Sequence, residues 1–337
     1  MHSQIAFHAD IIQTAATKMR VFFLQKERYM AHVSIFFGSA FANRNVFCLV
    51  PVSNLFEEAT KALQAHFQIG VGSLLENISY IICNMNINEY LQKADLIVSN
   101  HCAQYRAVFP SVGVLLSGGI DSSVIASYVL EQFKSHIIFS MGTADTKDKP
   151  FVELFSRQFK VQYEWVDLSD EVVRSALPTV SELLIKAGVE NSTMQQSLGV
   201  GYYLIFKRAQ ELGIRGIVTG QGPDILFAGY HKYKGMIGET LNEEIKKDLV
   251  LLETDKKRDG AMAAHFGITL LNPYLEQDFV DFSLTVPAEF KLNGGIEKFF
   301  MREWGKQRGL PQEIIARPKK AFQYSTGLQK KVSKLQI

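Results

Sequence analysis

Residues 112–129 read VGVLLSGGIDSSVIASYV, two different periodicities joined by a glycine turn. Val112–Leu116 is a continuous apolar run, the mark of a strand buried on both faces. From Ser122 a helix follows, with Ile125, Tyr128, Val129 and Phe133 on its inner face. In the turn between them, Gly118 and Gly119 let the backbone double back and bring N–H groups close to a ligand. The helix start adds unpaired N–H groups and the positive end of a dipole, a setting that suits an anion. Ser117, Ser122 and Ser123 supply hydroxyl donors. Asp121 would repel a bare phosphate, so it makes chemical sense with Mg²⁺ interposed. A plain N-capped helix after a glycine turn is the competing interpretation. Three serines and a carboxylate at the end of a buried strand favour a phosphate site. The loop is neither a GxxxxGK[ST] loop nor a GxGxxG dinucleotide turn.

Downstream, short apolar strands at 112–116, 136–140, 163–167 and 216–220 alternate with helical segments at 122–133, 149–159 and 199–213. That alternation predicts an α/β fold with a parallel sheet covered by helices. Beyond about residue 240 the pattern turns mainly helical. Upstream, residues 20–37 and 45–52 are strand-like, and 56–67 carry a helical spacing through Phe56, Ala59, Leu63 and Phe67. A helix is expected over 88–108. These patterns suggest a small α+β N-terminal extension over 1–95 and a main domain over 96–337.

The chain has 337 residues, 47% apolar and 21% charged, which excludes a disordered or collagen-like protein. No apolar run reaches the ~18–20 residues needed to span a bilayer, and the N-terminus lacks a secretory pattern. Residues 290–337 carry 11 Lys/Arg against three Asp/Glu, while the rest carries 25 against 31. Such a basic tail could meet phosphates, nucleic acid or an acidic partner, or be a solvated helix. Cys48, Cys83 and Cys102 form no CxxC pair, which disfavours a disulfide framework or structural zinc and fits a reducing cytoplasm. Cys83 reads as a core residue. The eight histidines show no metal spacing; His231 and His265 have no evident partner in sequence.

SGGIDSS resembles the pyrophosphate-binding loop of the N-type ATP pyrophosphatases, and the flanking residues resemble the synthetase domain of asparagine synthetase and its relatives, β-lactam synthetase and the lasso-peptide cyclases. Four further segments fall in the family's order. Residues 219–230, TGQGPDILFAGY, resemble GEGADELFGGY; Asn272–Glu276 resembles PFLD. Glu297-Lys298 with Met301-Arg302-Glu303 resembles K..LRE, and Arg317 to Phe322 resembles RxKxxF. The resemblance covers about residues 95–328.

It implies that a substrate carboxylate attacks the α-phosphate of ATP, and that ammonia or an amine then takes the acyl group from the adenylate. By position, Ser117, Gly118, Gly119, Asp121, Ser122 and Ser123 would hold pyrophosphate, with Asp121 and Asp224 on Mg²⁺. Leu115, Met141 and Gly220 match adenine and ribose contacts, and Asp148 a polar position beside ATP. Lys298 matches the cation on the α-phosphate, though an ordinary surface lysine is the bland alternative. Arg317 and Lys319 would close over the phosphates. Phe227 and Tyr230 are expected to pack beneath the loop. The implied partners are a small-molecule or peptide carboxylate and a nitrogen donor; no membrane is implied, and self-association is left open.

Three departures stand out. Position 2 is His2 rather than a cysteine nucleophile, and only about 95 residues precede the synthetase-like region, so a working glutaminase is not expected. The extension then reads as a reduced relic or a docking module. Gln221 and Ile225 stand where the family usually has glutamates, and Gly267–Asn272 lacks the usual Glu and Arg. Gln221, counted here among the catalytic positions, can hydrogen-bond but cannot act as a base. A changed substrate is expected. The alternatives are a catalytically dead ATP-binding homologue or a tRNA-modifying relative, the latter disfavoured by the missing CxxC pairs.

Overall fold

The computed structural model describes residues 86–335, together with the backbone of three strands before them. Those strands, β1 (Met19–Gln25), β2 (Met30–Phe37) and β3 (Val46–Pro51), form an antiparallel sheet in the order β1-β2-β3. The helix expected at 56–67 and the Cys83 core position lie outside the described residues.

The chain divides into compact units at 1–85 and 86–337. The second opens with α1 (Ile87–Val108), which begins at a capping box: Asn86 accepts from the Glu89 N–H, and Glu89 accepts from the Asn86 N–H at 2.8 Å. The boundary expected at 95/96 falls inside this helix. Its buried face, including Leu91, Ala94 and Val98, ties it to the second unit, so the division comes at its N-cap instead.

Five parallel strands follow: β4 (Ser111–Leu115), β5 (Ser135–Gly142), β6 (Tyr163–Asp167), β7 (Gly216–Val218) and β8 (Thr269–Leu271). Their order is β6-β5-β4-β7-β8. The last was not anticipated within the helical C-terminal region. It is an edge strand of three residues, paired Ile217 to Leu270, too short for its pattern to register. Between the strands run α2 (Ile120–Gln132), α3 (Lys149–Phe159), α4 (Asp170–Lys186), α5 (Thr193–Glu211) and α6 (Gly238–His265). The chain continues through α7 (Gln277–Thr285), α8 (Phe299–Gln307) and α9 (Leu328–Leu335).

The expected inner face of α2 is buried in full, from Ile125 to Phe133. One apolar core joins β5 and β7 to α4, α5, α6 and α9 through Phe139, Val180, Val200, Phe206 and Met262. Elsewhere, aromatic rings link α2, α7 and α8. Trp304 donates its indole N–H to the Tyr128 hydroxyl at 3.1 Å, and Phe227 stacks on Phe300. Side chains of this size, removed from water at roughly 25 cal/mol per Å², hold the helices on the sheet.

From β4 the chain builds outward through β5 and β6, then returns to add β7 and β8 on the other side. The carboxyl ends of β4 and β7 are therefore neighbours whose following loops diverge, the position where such sheets open a crevice.

Candidate active site

The two diverging loops are SGGIDSS after β4 and TGQG after β7. In the first, Gly118 takes φ +69°, a left-handed conformation that a side chain would strain. Gly119 is the N-cap of α2 and no side chain caps the helix start, so neither Asp121 nor a serine is spent on capping. The serines tie the turn to itself. Ser117 and Ser122 hydroxyls lie 3.0 Å apart, and the Ser122 hydroxyl donates to the Gly119 carbonyl at 3.1 Å. In the second loop, a Cβ on Gly220 would stand 2.8 Å from Ser122 Cα and 2.9 Å from the Asp121 carbonyl oxygen. Only a glycine lets the two loops touch.

Together they open a cleft of about 670 Å³. Leu115, Ser117, Gly119, Asp121, Ser122, Met141, Asp148, Gly220, Gln221, Asp224, Lys298, Arg317 and Lys319 all line it, and Arg317 meets Ser117 across 200 residues of sequence. Two expected residues do not. Gly118 turns the chain behind the lining, and Ser123, one step further around α2, is fully buried.

Lys298 is only 4% exposed and sits at φ +54°, at the N-cap of α8. Its ammonium donates to Asp121 Oδ2 and lies 2.6 Å from Asp224 Oδ1. Lys319 Nζ is 3.4 Å from the same Asp224 oxygen and 4.2 Å from the centre of the Tyr230 ring. Tyr230 is thus part of the cleft wall instead of packing beneath the loop, whereas Phe227 is fully buried as expected. Arg317 pairs with Asp148, donates to the Ser117 carbonyl at 3.1 Å and lies over the Phe151 ring.

Burial works against the charges of Lys298, Asp121, Asp224 and Asp148, and the neighbouring charges prevail over it at Lys298 and Asp224 only. Burial would discharge Lys298, but the two aspartates hold its pKa above the ordinary lysine value. Burial raises Asp121 despite the lysine. For Asp224, Lys298 and Lys319 overcome burial and keep its carboxyl below the usual range. Burial also lifts Asp148, against the pull of Arg317.

Asp121 Oδ1 is buried with no hydrogen-bond partner. Among the described residues, no group of three or more His, Cys, Asp or Glu could hold a metal. Two carboxylates, one with a spare oxygen, are a poor complete cage but suit Mg²⁺, which takes one or two carboxylates and completes its shell with phosphates and water.

Ile225 is 2% exposed and faces the core. It does not line the cleft. Gln221 does line the cleft and accepts from the Tyr202 hydroxyl at 3.2 Å.

The cleft wall on α5 and α6 holds residues that the sequence pattern did not single out. Arg258, 2% exposed, donates to Asp255 at 2.7 Å, to Gln195 at 3.0 Å and twice to Asp259. The run Asp255-Lys256-Lys257-Arg258-Asp259 looks like a solvated helix face. Asp255, Arg258 and Met262 follow Leu252 at steps of three, three and four residues along one side of α6, which was the signal that this side turns inward.

The asparagine synthase family model matches residues 103–246 and 239–336. Human asparagine synthetase (glutamine-hydrolyzing) is 28% identical over 271 residues, 74% of this chain and 46% of its own length. A Methanocaldococcus jannaschii protein that carries the asparagine synthetase name is 27% identical over 284 residues, 73% and 51% of the respective lengths. The chain therefore spans about half the length of the curated relatives it matches. Among solved structures, NMN synthetase from Francisella tularensis aligns with a TM-score of 0.38 and 14% identity, covering 75% of this chain and 87% of that one. Motifs scattered over two hundred residues meet in one crevice, and the family match extends over more than half of the sequence: the chain belongs to the asparagine synthase family.

Proposed function

We propose that the chain activates a substrate carboxylate with ATP, releasing pyrophosphate, and passes the acyl group to ammonia or an amine. The observation that carries this reading is the Lys298–Asp121–Asp224 cluster beside the SGGIDSS turn, with one oxygen of Asp121 left without a partner.

A carboxylate oxygen attacking the α-phosphorus forms a P–O bond as the bond to the bridging oxygen breaks, and pyrophosphate leaves with the electron pair. Charge then builds on the phosphate oxygens. Lys298, fixed by two carboxylates and shielded from water, is a preorganised cation for that charge. Arg317 and Lys319 add positive charge over the departing phosphates. The backbone N–H of Ser122, in the first turn of α2, can donate to the same oxygens. Mg²⁺ held by Asp121 and Asp224 would neutralise the pyrophosphate further. Leu115 and Met141 offer apolar contact for the base. In the second half-reaction the amine adds to the acyl carbon and AMP leaves. Gln221 can orient the incoming nitrogen through its amide but cannot take its proton, so that proton passes to phosphate or water.

The test is ATP–pyrophosphate exchange with candidate acids, followed by AMP detection when ammonia or an amine is added. Exchange in the wild type and its loss in Asp121→Ala is the expected result. Formation of ADP instead of AMP, or equal exchange in both proteins, removes the proposal.

A further inference from the structure

The cleft is electrically lopsided. Five basic residues (Lys298, Arg302, Arg317, Lys319 and Lys320) and three aspartates (Asp121, Asp148 and Asp224) line the phosphate end. On the wall formed by α5 and α6, Arg258 pairs with Asp255 and Asp259, which leaves that cluster with one net negative charge. Four of the five N–H groups of Arg258 are already spent on Asp255, Asp259 and Gln195. A second carboxylate on the substrate would meet a cation that is saturated and outnumbered. Three apolar side chains line the cleft on the same two helices. Met194 and Leu198 lie one turn apart on α5, and Leu251 lies one turn before Asp255 on α6. Met194 and Leu251 are 44% and 46% exposed, large apolar side chains bare at the lining of a cleft.

From this arrangement, and resting on the adenylation proposed above, we infer that the activated acid is a monocarboxylate with an apolar body. Its carboxylate points to Lys298 and its body lies on Met194, Leu198 and Leu251. A compact dicarboxylate would bring a charge that the Arg258 cluster does not neutralise and leave Met194, Leu198 and Leu251 uncovered. Selectivity then comes from two sources, contact with the walls and repulsion of a second anion, and both act against the small diacid.

The experiment compares hexanoate, 3-phenylpropanoate and N-acetyl-leucine with aspartate, glutamate and succinate in ATP–pyrophosphate exchange by the full chain. The expected result is a kcat/KM at least about tenfold higher for the apolar acids. Leu251→Asp should raise KM for those acids about tenfold while KM for ATP stays the same. Because Leu251 is half-exposed, the variant keeps its fold, which an unchanged thermal midpoint verifies. Exchange that favours aspartate or succinate, or a Leu251→Asp variant with unaltered KM for the apolar acids, overturns this inference and leaves adenylation standing. Exchange with none of the six acids overturns adenylation and this inference with it.

Discussion

Replacing Lys298 by methionine removes the cation from between two carboxylates and keeps most of the side chain's volume. In the wild type the ammonium lies 2.6 Å from Asp224 Oδ1 and donates to Asp121 as well. With an effective dielectric constant near 20, one such contact is worth roughly 6 kcal/mol of attraction, most of it offset by the desolvation of three charges. Breaking a buried cluster by deleting one partner costs about 3–5 kcal/mol. The partial exposure of Asp224, 33% at its side chain, reduces this to about 2–4 kcal/mol. For a unit of this size each kcal/mol shifts the thermal midpoint by about 2–4 °C, so a drop of about 5–15 °C is predicted.

The loss should also depend on pH with a definite sign. Removing the lysine raises both carboxyls, Asp121 from a value that burial already lifts and Asp224 against the remaining pull of Lys319. A carboxyl raised above its unfolded value lends stability at low pH and loses it as pH rises through the folded value. In the wild type Asp224 behaves oppositely, because its depressed pKa adds stability above the unfolded value. The gap in midpoint between wild type and Lys298→Met is therefore widest near about pH 8 and narrows toward about pH 5. Thermal unfolding followed by circular dichroism at the two pH values measures it. A gap that is absent, or equal at both, refutes the charge cluster as described.

Three more predictions follow from the same geometry. Gly220→Ala puts a methyl group 2.8 Å from the Ser122 backbone, so the loops must separate; ATP affinity by calorimetry should fall at least about tenfold, with about 1–3 kcal/mol lost in stability. Gln221→Glu introduces a base where the acyl acceptor would stand, and amide formation with ammonia should speed up about tenfold while pyrophosphate exchange is unchanged, which parallel assays of the two half-reactions would test. Arg258→Met strands Asp255 and Asp259, and urea unfolding should show a loss of about 3–5 kcal/mol, since the guanidinium and Asp259 are almost fully buried.

Much of this protein could be read without coordinates, because the signals are local. A buried strand, a paired-glycine turn and an amphipathic helix follow from consecutive residues, and the alternation repeats until the parallel sheet is implied. The order of the strands is not local. That β7 lies beside β4, and so brings Gly220 against Ser122, follows from which apolar faces cover one another across a hundred residues. The same holds for charge. The motif resemblance marked the lysine in NGGIEKFF as a candidate cation, but the local pattern also fits a surface lysine, and its enclosure by Asp121 and Asp224 is what makes it a buried, fixed charge. Ile225 and Arg258 make the contrast sharpest. By type, the first looked like a lost carboxylate and the second like a solvated charge, whereas the packing of the helix turns buries Ile225 in the core and brings Arg258 into the cleft. Residue type states what a side chain can do; the direction in which its backbone points, fixed by long-range packing, states whether it meets the substrate.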